Sequence, residues 1–371
     1  MESQPVSGAP VPNFFCLARP CPCPALGRKP DCRAFATWEK KARAHSYAAD
    51  NARGARFKMT RIRTPLDRGR LPTELAMQPH SLATFKPLLS QLVQSLPVPP
   101  PPTGQLRDPA EPPSQEQLEA LLEHLSDVTF TQDPANSAAI GSALTALRLS
   151  GLDMRPSTLA FMRQKFIEQI QPFDVPVLED SPNTDYRGWV DIVGTGGDGK
   201  DTFNVSTTAM FIAGGVNGMH VAKHGGKAST SPSGSGELLM SLGLPLLQVP
   251  SDEMVKSLFH CSCTFLFAPM FHRAMMPLAP IRASLGFPTL FNILGPLINP
   301  KSTCRGLYGV HSSGLGRIYA ETLYMSGLEY FWVVCGEEGL DELSPAGPSY
   351  VWEVSTLSLI HISEPTRPLY I

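Results

Sequence analysis

The sequence predicts an α/β protein, and three observations carry that prediction. From Trp189 onward, short apolar runs alternate with stretches long enough for crossover helices. Upstream, apolar residues recur at helical spacing. Between the two patterns, Asp191-Ile192-Val193 breaks into Gly194-Thr195-Gly196-Gly197-Asp198-Gly199, a strand running into a turn of the kind that open α/β sheets place at their ligand-binding ends.

In chain order, the helical reading begins at Leu82 to Leu89 and is broken by the proline run Pro97 to Pro102, which no helix can cross. It resumes after Ser114-Gln115-Glu116-Gln117, a capping box, with Leu118, Leu121, Leu122 and Leu125 on one face. Further helices fit Ala135 to Leu149, closed by Gly151, and Pro156 to Ile170, with proline at the first helical position. The apolar stripes of these helices read as packing core. Strands then fit Val190 to Val193, His220 to Ala222, Thr264 to Phe267 and Tyr330 to Val334.

A chain of 371 residues, 42% of them apolar, has room for about two domains and a substantial core. Its formal net charge of -2 argues against a nucleic-acid binder, which shows a basic excess or stripe. No apolar run is long enough to span a bilayer, so a soluble protein without a membrane partner is expected. Cys16, Cys21, Cys23 and Cys32 lack zinc-ligand spacing and a nearby histidine. Cys261, Cys263, Cys304 and Cys335 read as reduced, buried thiols of an intracellular enzyme.

The glycine turn is suited to an anion, because glycines let backbone N–H groups close on a phosphate and the segment Thr202-Phe203-Asn204-Val205-Ser206-Thr207 opens a helix rich in hydroxyls. Gly194, Gly196 and Gly199 also satisfy the dinucleotide pattern G-x-G-x-x-G. That reading fails at the next strand, which ends in Lys223-His224 where a ribose-binding acid belongs. A second loop follows, Lys223-His224-Gly225-Gly226-Lys227-Ala228-Ser229-Thr230-Ser231, leading to a helix start at Ser233-Gly234-Ser235-Gly236-Glu237.

Together the two loops resemble the anthranilate phosphoribosyltransferase family. Phe267-Ala268-Pro269, Ala279-Pro280-Ile281-Arg282, Phe291-Asn292-Ile293-Leu294-Gly295-Pro296-Leu297-Ile298-Asn299-Pro300 and Gly339-Leu340-Asp341-Glu342-Leu343-Ser344 agree in the family's order. The resemblance runs from about Asp191 to Val354, with a weaker helical match back towards Ser81. It implies a small N-terminal helical domain packed on a larger α/β domain with a central, mainly parallel sheet and the active site in the cleft between them. It also implies transfer of phosphoribosyl from phosphoribosyl pyrophosphate to the amine of anthranilate, in tryptophan biosynthesis, by a cytoplasmic homodimer.

On the same resemblance, Gly194, Thr195, Gly196, Gly197, Asp198, Asn204, Ser206, Thr207, Lys223, Ser229, Thr230 and Ser231 hold phosphoribosyl pyrophosphate. Two Mg2+ ions bound with the diphosphate are held by Ser206, Asp341 and Glu342, whose oxygens suit a hard cation. Arg282 clamps the anthranilate carboxylate in a planar, bidentate contact. His224, Gly226, Pro269 and Met270 wall the ring. No general acid or base is assigned, since an aromatic amine is neutral and nucleophilic at pH 7. Orientation and charge stabilisation then carry catalysis.

The chain departs from the family pattern in having Gly226-Lys227 for Asn-Arg and Gly236-Glu237 for Ala-Asp. The domain reading is residues 1–76 as a disordered or non-native extension, with Met59 or Met77 as alternative starts, and residues 77–186 as the helical domain with a proline-rich insert at 97–113. Residues 187–354 form an incomplete α/β domain, and 355–371 read as an unrelated, read-through tail that would leave the sheet's last apolar face in water. Two alternatives stay open: an inactive phosphate-binding relative, and a pyrimidine nucleoside phosphorylase, which shares the architecture.

Overall fold

The computed structural model describes residues 80–96, 111–170 and 189–355, apart from 201, 217, 228–233, 302–304 and 329, and the backbone of 359–364. Residues 1–76, the proline run and Ser229, Thr230 and Ser231 lie outside the described residues.

The helical segment forms where its caps and periodicity place it. Helix α1 (Leu82–Gln94) begins at Ser81, whose hydroxyl accepts the Thr84 N–H, and α2 (Gln115–Ser126) begins with the expected Ser114–Gln117 capping box. After the short α3 (Val128–Gln132), α4 (Ser137–Ser150) ends at Gly151 with φ 68°, a left-handed C-cap that favours glycine. Helix α5 (Pro156–Glu168) starts on its proline. The buried His124 pins α2 to α1, with Nδ1 at 2.7 Å from the Ala120 carbonyl oxygen and Nε2 at 2.9 Å from the Thr84 hydroxyl.

Seven strands make one sheet in the order β3-β2-β1-β4-β5-β6-β7. β1 (Trp189–Gly194), β2 (His220–Gly225), β3 (Cys263–Phe267), β4 (Arg305–Gly309) and β5 (Phe331–Gly336) run parallel; β6 (Ser349–Val354) and β7 (Leu359–Glu364) are antiparallel. Connecting them are α6 (Val205–Gly214), α7 (Ser235–Ser241), α8 (Ser251–Lys256), α9 (Ala268–Phe271), α10 (Met275–Leu285), α11 (Leu290–Leu294) and α12 (Ser313–Met325). Because the chain leaves β1 for β2 on one side and returns to β4 on the other, the strand order reverses at β1/β4. A crevice forms there, at the C-terminal ends of the strands.

Two features differ from the sequence reading. Strand β4, which the sequence reading does not include, carries Gly306 and Gly309; Gly306 is needed because a Cβ there would lie 2.7 Å from the Phe331 ring. The sheet also continues past Val354, where an unrelated tail is expected: β7 pairs with β6 from Val354↔Leu359 to Ser349↔Glu364.

The core divides across the sheet rather than along the chain. Phe85, Leu122, Leu144 and Phe166 of the helical segment share one cluster with Leu297, Tyr319, Phe331 and Val354, while Val221, Leu239, Met254 and Phe265 belong to a second. Helix α5 packs directly on α12, so the helical layer is seated on the side of the sheet that flanks the crevice. Cys261, Cys263 and Cys335 are buried. Among the described residues no helix is long and apolar enough to cross a membrane.

Candidate active site

The ends of β1, β2 and β4 bring the glycine turn, Lys223-His224 and Gly309 to one place. Gly196, Gly197 and Gly199 have φ of 64°, 80° and 67°, a conformation that other residues adopt only with strain, and this lets the turn fold back on itself. Gly194 and Gly309 serve closeness instead: a Cβ on either would lie within 2.5 Å of Asp341. The acidic pair is thereby laid across the cradle. Its Asp341 Oδ2 accepts the Gly196 N–H at 2.7 Å, and the Thr195 N–H donates to the Gly309 carbonyl at 2.9 Å.

Lys223 is 1% exposed, and its Nζ donates to the Ile192 carbonyl at 2.6 Å and to the Ser206 hydroxyl at 3.1 Å. Burial pulls its pKa down to about 8, against the attraction of Asp191, Glu342 and Asp341. Burial raises Asp341, and neighbouring Asp198 adds to the rise. Glu342 is pushed up to about 7 by burial and by Asp341, with Lys223 opposing. Such crowded carboxylates carry a negative excess that a divalent cation would relieve, and their oxygens are the donors that Mg2+ prefers. Among the described residues no three His, Cys, Asp or Glu side chains converge on one ion.

Thr207, expected at the phosphate, is wholly buried, and its hydroxyl donates to Ser235 at 2.8 Å. Beside the glycine turn lies a cleft of about 260 Å³, whose walls include Gly197, Asp198, Arg148, Asn292 and His311.

The acceptor residues are linked by a continuous series of rings. His224 is 1% exposed; Nδ1 lies 3.0 Å from the Gly295 carbonyl oxygen, and Nε2 is buried without a partner. Burial, followed by His272, holds its pKa well below the usual histidine range, so the ring is neutral, Nδ1 carries the proton and Nε2 is an acceptor. Its ring meets His272 edge-on at 5.0 Å; His272 meets Phe166 at 6.0 Å, and Phe166 meets Phe291 at 6.2 Å. The Arg282 guanidinium stands over Phe291 at 5.8 Å, its Nε buried and unpartnered. Pro269 and Met270 sit half-buried in α9, immediately before His272, and Ala268 faces Gly226. His224, His272, Phe166 and Phe291 are all buried, so their contacts are core packing, and the orphaned atoms are His224 Nε2, both His272 ring nitrogens and Arg282 Nε.

A family model described as "Glycosyl transferase family, a/b domain" matches residues 187–363. The anthranilate phosphoribosyltransferase of Schizosaccharomyces pombe is 52% identical over 249 residues, covering 66% of this chain and 66% of the relative. That of Saccharomyces cerevisiae is 39% identical over 263 residues, covering 68% and 69%. The chain belongs to the anthranilate phosphoribosyltransferase family.

The solved Saccharomyces cerevisiae anthranilate phosphoribosyltransferase in complex with PRPP and Mg superimposes with a TM-score of 0.62 at 34% identity, covering 76% of this chain and 73% of that one. The same enzyme in complex with 4-fluoroanthranilate gives 0.61 at 33% identity, covering 77% and 73%. This member of the family spans about two thirds of the length of its yeast relatives.

Sequence reasoning missed His272, Phe166, Ser235 and Asp191. His272 follows Phe267-Ala268-Pro269 closely enough to have been found from that motif. Asp191, fully buried with its pKa raised to about 6 chiefly by burial, accepts the His224 N–H at 3.3 Å and so supports the wall from beneath.

Burial also holds His272 at about 4, below the 6.5 of an exposed histidine. Between those values the unfolded chain binds more protons, so this group's contribution to stability rises with pH. The stability difference between the native protein and His272→Phe is expected to grow by on the order of 3 kcal/mol from about pH 4 to pH 6.5. Denaturant melts across that range read it. A difference independent of pH would mean an ordinary histidine there.

Proposed function

We propose that the chain transfers the phosphoribosyl group of phosphoribosyl pyrophosphate to the amine of anthranilate. The convergence of the glycine turn, the buried Lys223 and the Asp341-Glu342 pair at the strand ends carries this reading, and the orphaned His224 Nε2 and Arg282 Nε support an acceptor end beside it. In the reaction the C1–O bond breaks and its electron pair leaves with pyrophosphate. The amine lone pair forms the N–C1 bond, and the nitrogen then gives up a proton.

The turn amides and Lys223 hold the charge that develops on the leaving group. Arg282 fixes the ring by its carboxylate, and the neutral His224 Nε2 is an acceptor for the amine. Asp341, Glu342 and Ser206 would hold two Mg2+ ions, which neutralise diphosphate charge when bound. Asn204 and the hydroxyls of Ser229, Thr230 and Ser231 complete the phosphate contacts.

Anthranilate fluorescence should disappear only when phosphoribosyl pyrophosphate and magnesium are both supplied. No decline under those conditions ends the reading, and magnesium-dependent binding of the diphosphate without turnover would favour the inactive relative. Phosphorolysis of a pyrimidine nucleoside would favour the other alternative.

The same reading makes the protein a cytoplasmic homodimer. An apolar groove of about 660 Å³, lined by Val93, Leu149, Ile281 and Leu285 among others, supports a second copy on the helical layer. Leu149 is 69% exposed there, a large apolar side chain that a dimer would cover. Sedimentation as a monomer at all accessible concentrations would remove that assignment.

A further inference from the structure

Ser235 and Gly236 open α7 at the point where the two substrate loops meet. The buried Thr207 hydroxyl donates to Ser235 Oγ at 2.8 Å, and Ser235 Oγ donates in turn to Asn204 Oδ1 at 3.5 Å. One residue on, the Gly236 N–H donates to the Gly226 carbonyl at 3.0 Å. A Cβ at Gly236 would stand 3.0 Å from that carbonyl oxygen and 2.9 Å from the ring of Phe267, which is wholly buried and has no room to yield. Glu237 fixes the helix start by accepting the Gly234 N–H at 3.1 Å.

We propose that the Ser235–Gly236 step positions both substrate sites at once, its hydroxyl holding Asn204 and Thr207 on the phosphoribosyl side and its peptide N–H holding Gly226 on the acceptor side. What each side binds rests on the function proposed above. The physical basis does not: without the Ser235 oxygen, a buried Thr207 donor loses its acceptor, and a branched side chain at Gly236 pushes the second loop outward.

The two halves separate by substitution. Ser235→Ala should raise the KM for phosphoribosyl pyrophosphate about tenfold, the loss of one buried hydrogen bond, and leave that for anthranilate nearly unchanged. Gly236→Val, bulkier than the alanine of the family pattern, should do the reverse. A merely structural step would lower the melting temperature and kcat with both KM values moving together, and that result overturns the proposal.

Amide hydrogen exchange gives a reading that needs no substrate. Exchange at Gly226-Lys227 should quicken in Gly236→Val, and exchange around Asn204 to Thr208 should quicken in Ser235→Ala. If wild type shows no turnover but these exchange changes appear, the functional reading fails and the positioning stands. If both segments exchange as in wild type, the positioning is wrong whatever the activity.

Discussion

Arg282→Ala is expected to raise the KM for anthranilate by about 30-fold or more, with little change for phosphoribosyl pyrophosphate. Losing one member of a buried, hydrogen-bonded charge pair costs about 2 to 5 kcal/mol. Arg282 has what such a clamp needs: burial lowers its pKa, its Nε has no hydrogen-bond partner, and Phe291 supports the guanidinium plane at 5.8 Å. It is a desolvated cation that no acid of the described residues pairs with. Arg282→Lys keeps the charge and loses the planar fork, so it should fall between wild type and alanine. Separate titrations of the two substrates decide the matter, and equal losses for both would remove Arg282 from the acceptor end.

Asp341→Asn should weaken magnesium-dependent binding of the diphosphate substrate by about 100-fold and slow turnover with it, as expected for a group that governs developing negative charge. Without magnesium the sign should reverse. Asp341 Oδ2 accepts the Gly196 N–H at 2.7 Å, so an anion of the protein's own occupies part of the phosphate cradle, and removing its charge relieves repulsion of the incoming diphosphate. Calorimetry with phosphoribosyl pyrophosphate, with and without magnesium, measures both arms. Weaker binding in both conditions would mean that Asp341 supports the turn rather than the metal.

The local chemistry of this chain was readable from the sequence because it is encoded by neighbours in the chain. The Ser114–Gln117 capping box, the proline at the start of α5 and the apolar runs of β1, β2, β3 and β5 form where they are expected, since caps, proline φ and β-branched packing act over a few residues. The glycine turn after β1 was legible for the same reason, and Gly196, Gly197 and Gly199 adopt positive φ there. Strand β4 was hidden because Gly306 and Gly309 answer to contacts made elsewhere: the first makes room for the Phe331 ring, the second for the Asp341 backbone.

Only the tertiary structure decided which residues act together. It brought Asp341 onto Gly196, 145 residues away, and packed His224, His272, Phe166, Phe291 and Arg282 in succession from a strand end and four helical or loop segments. It also turned Thr207 away from solvent towards Ser235. Sequence spacing carries the torsional and hydrogen-bonding preferences of short segments. The charge on a buried lysine, the neutrality of two histidines and the room beside a glycine depend on desolvation and close packing, which exist only once distant segments exclude water from one another.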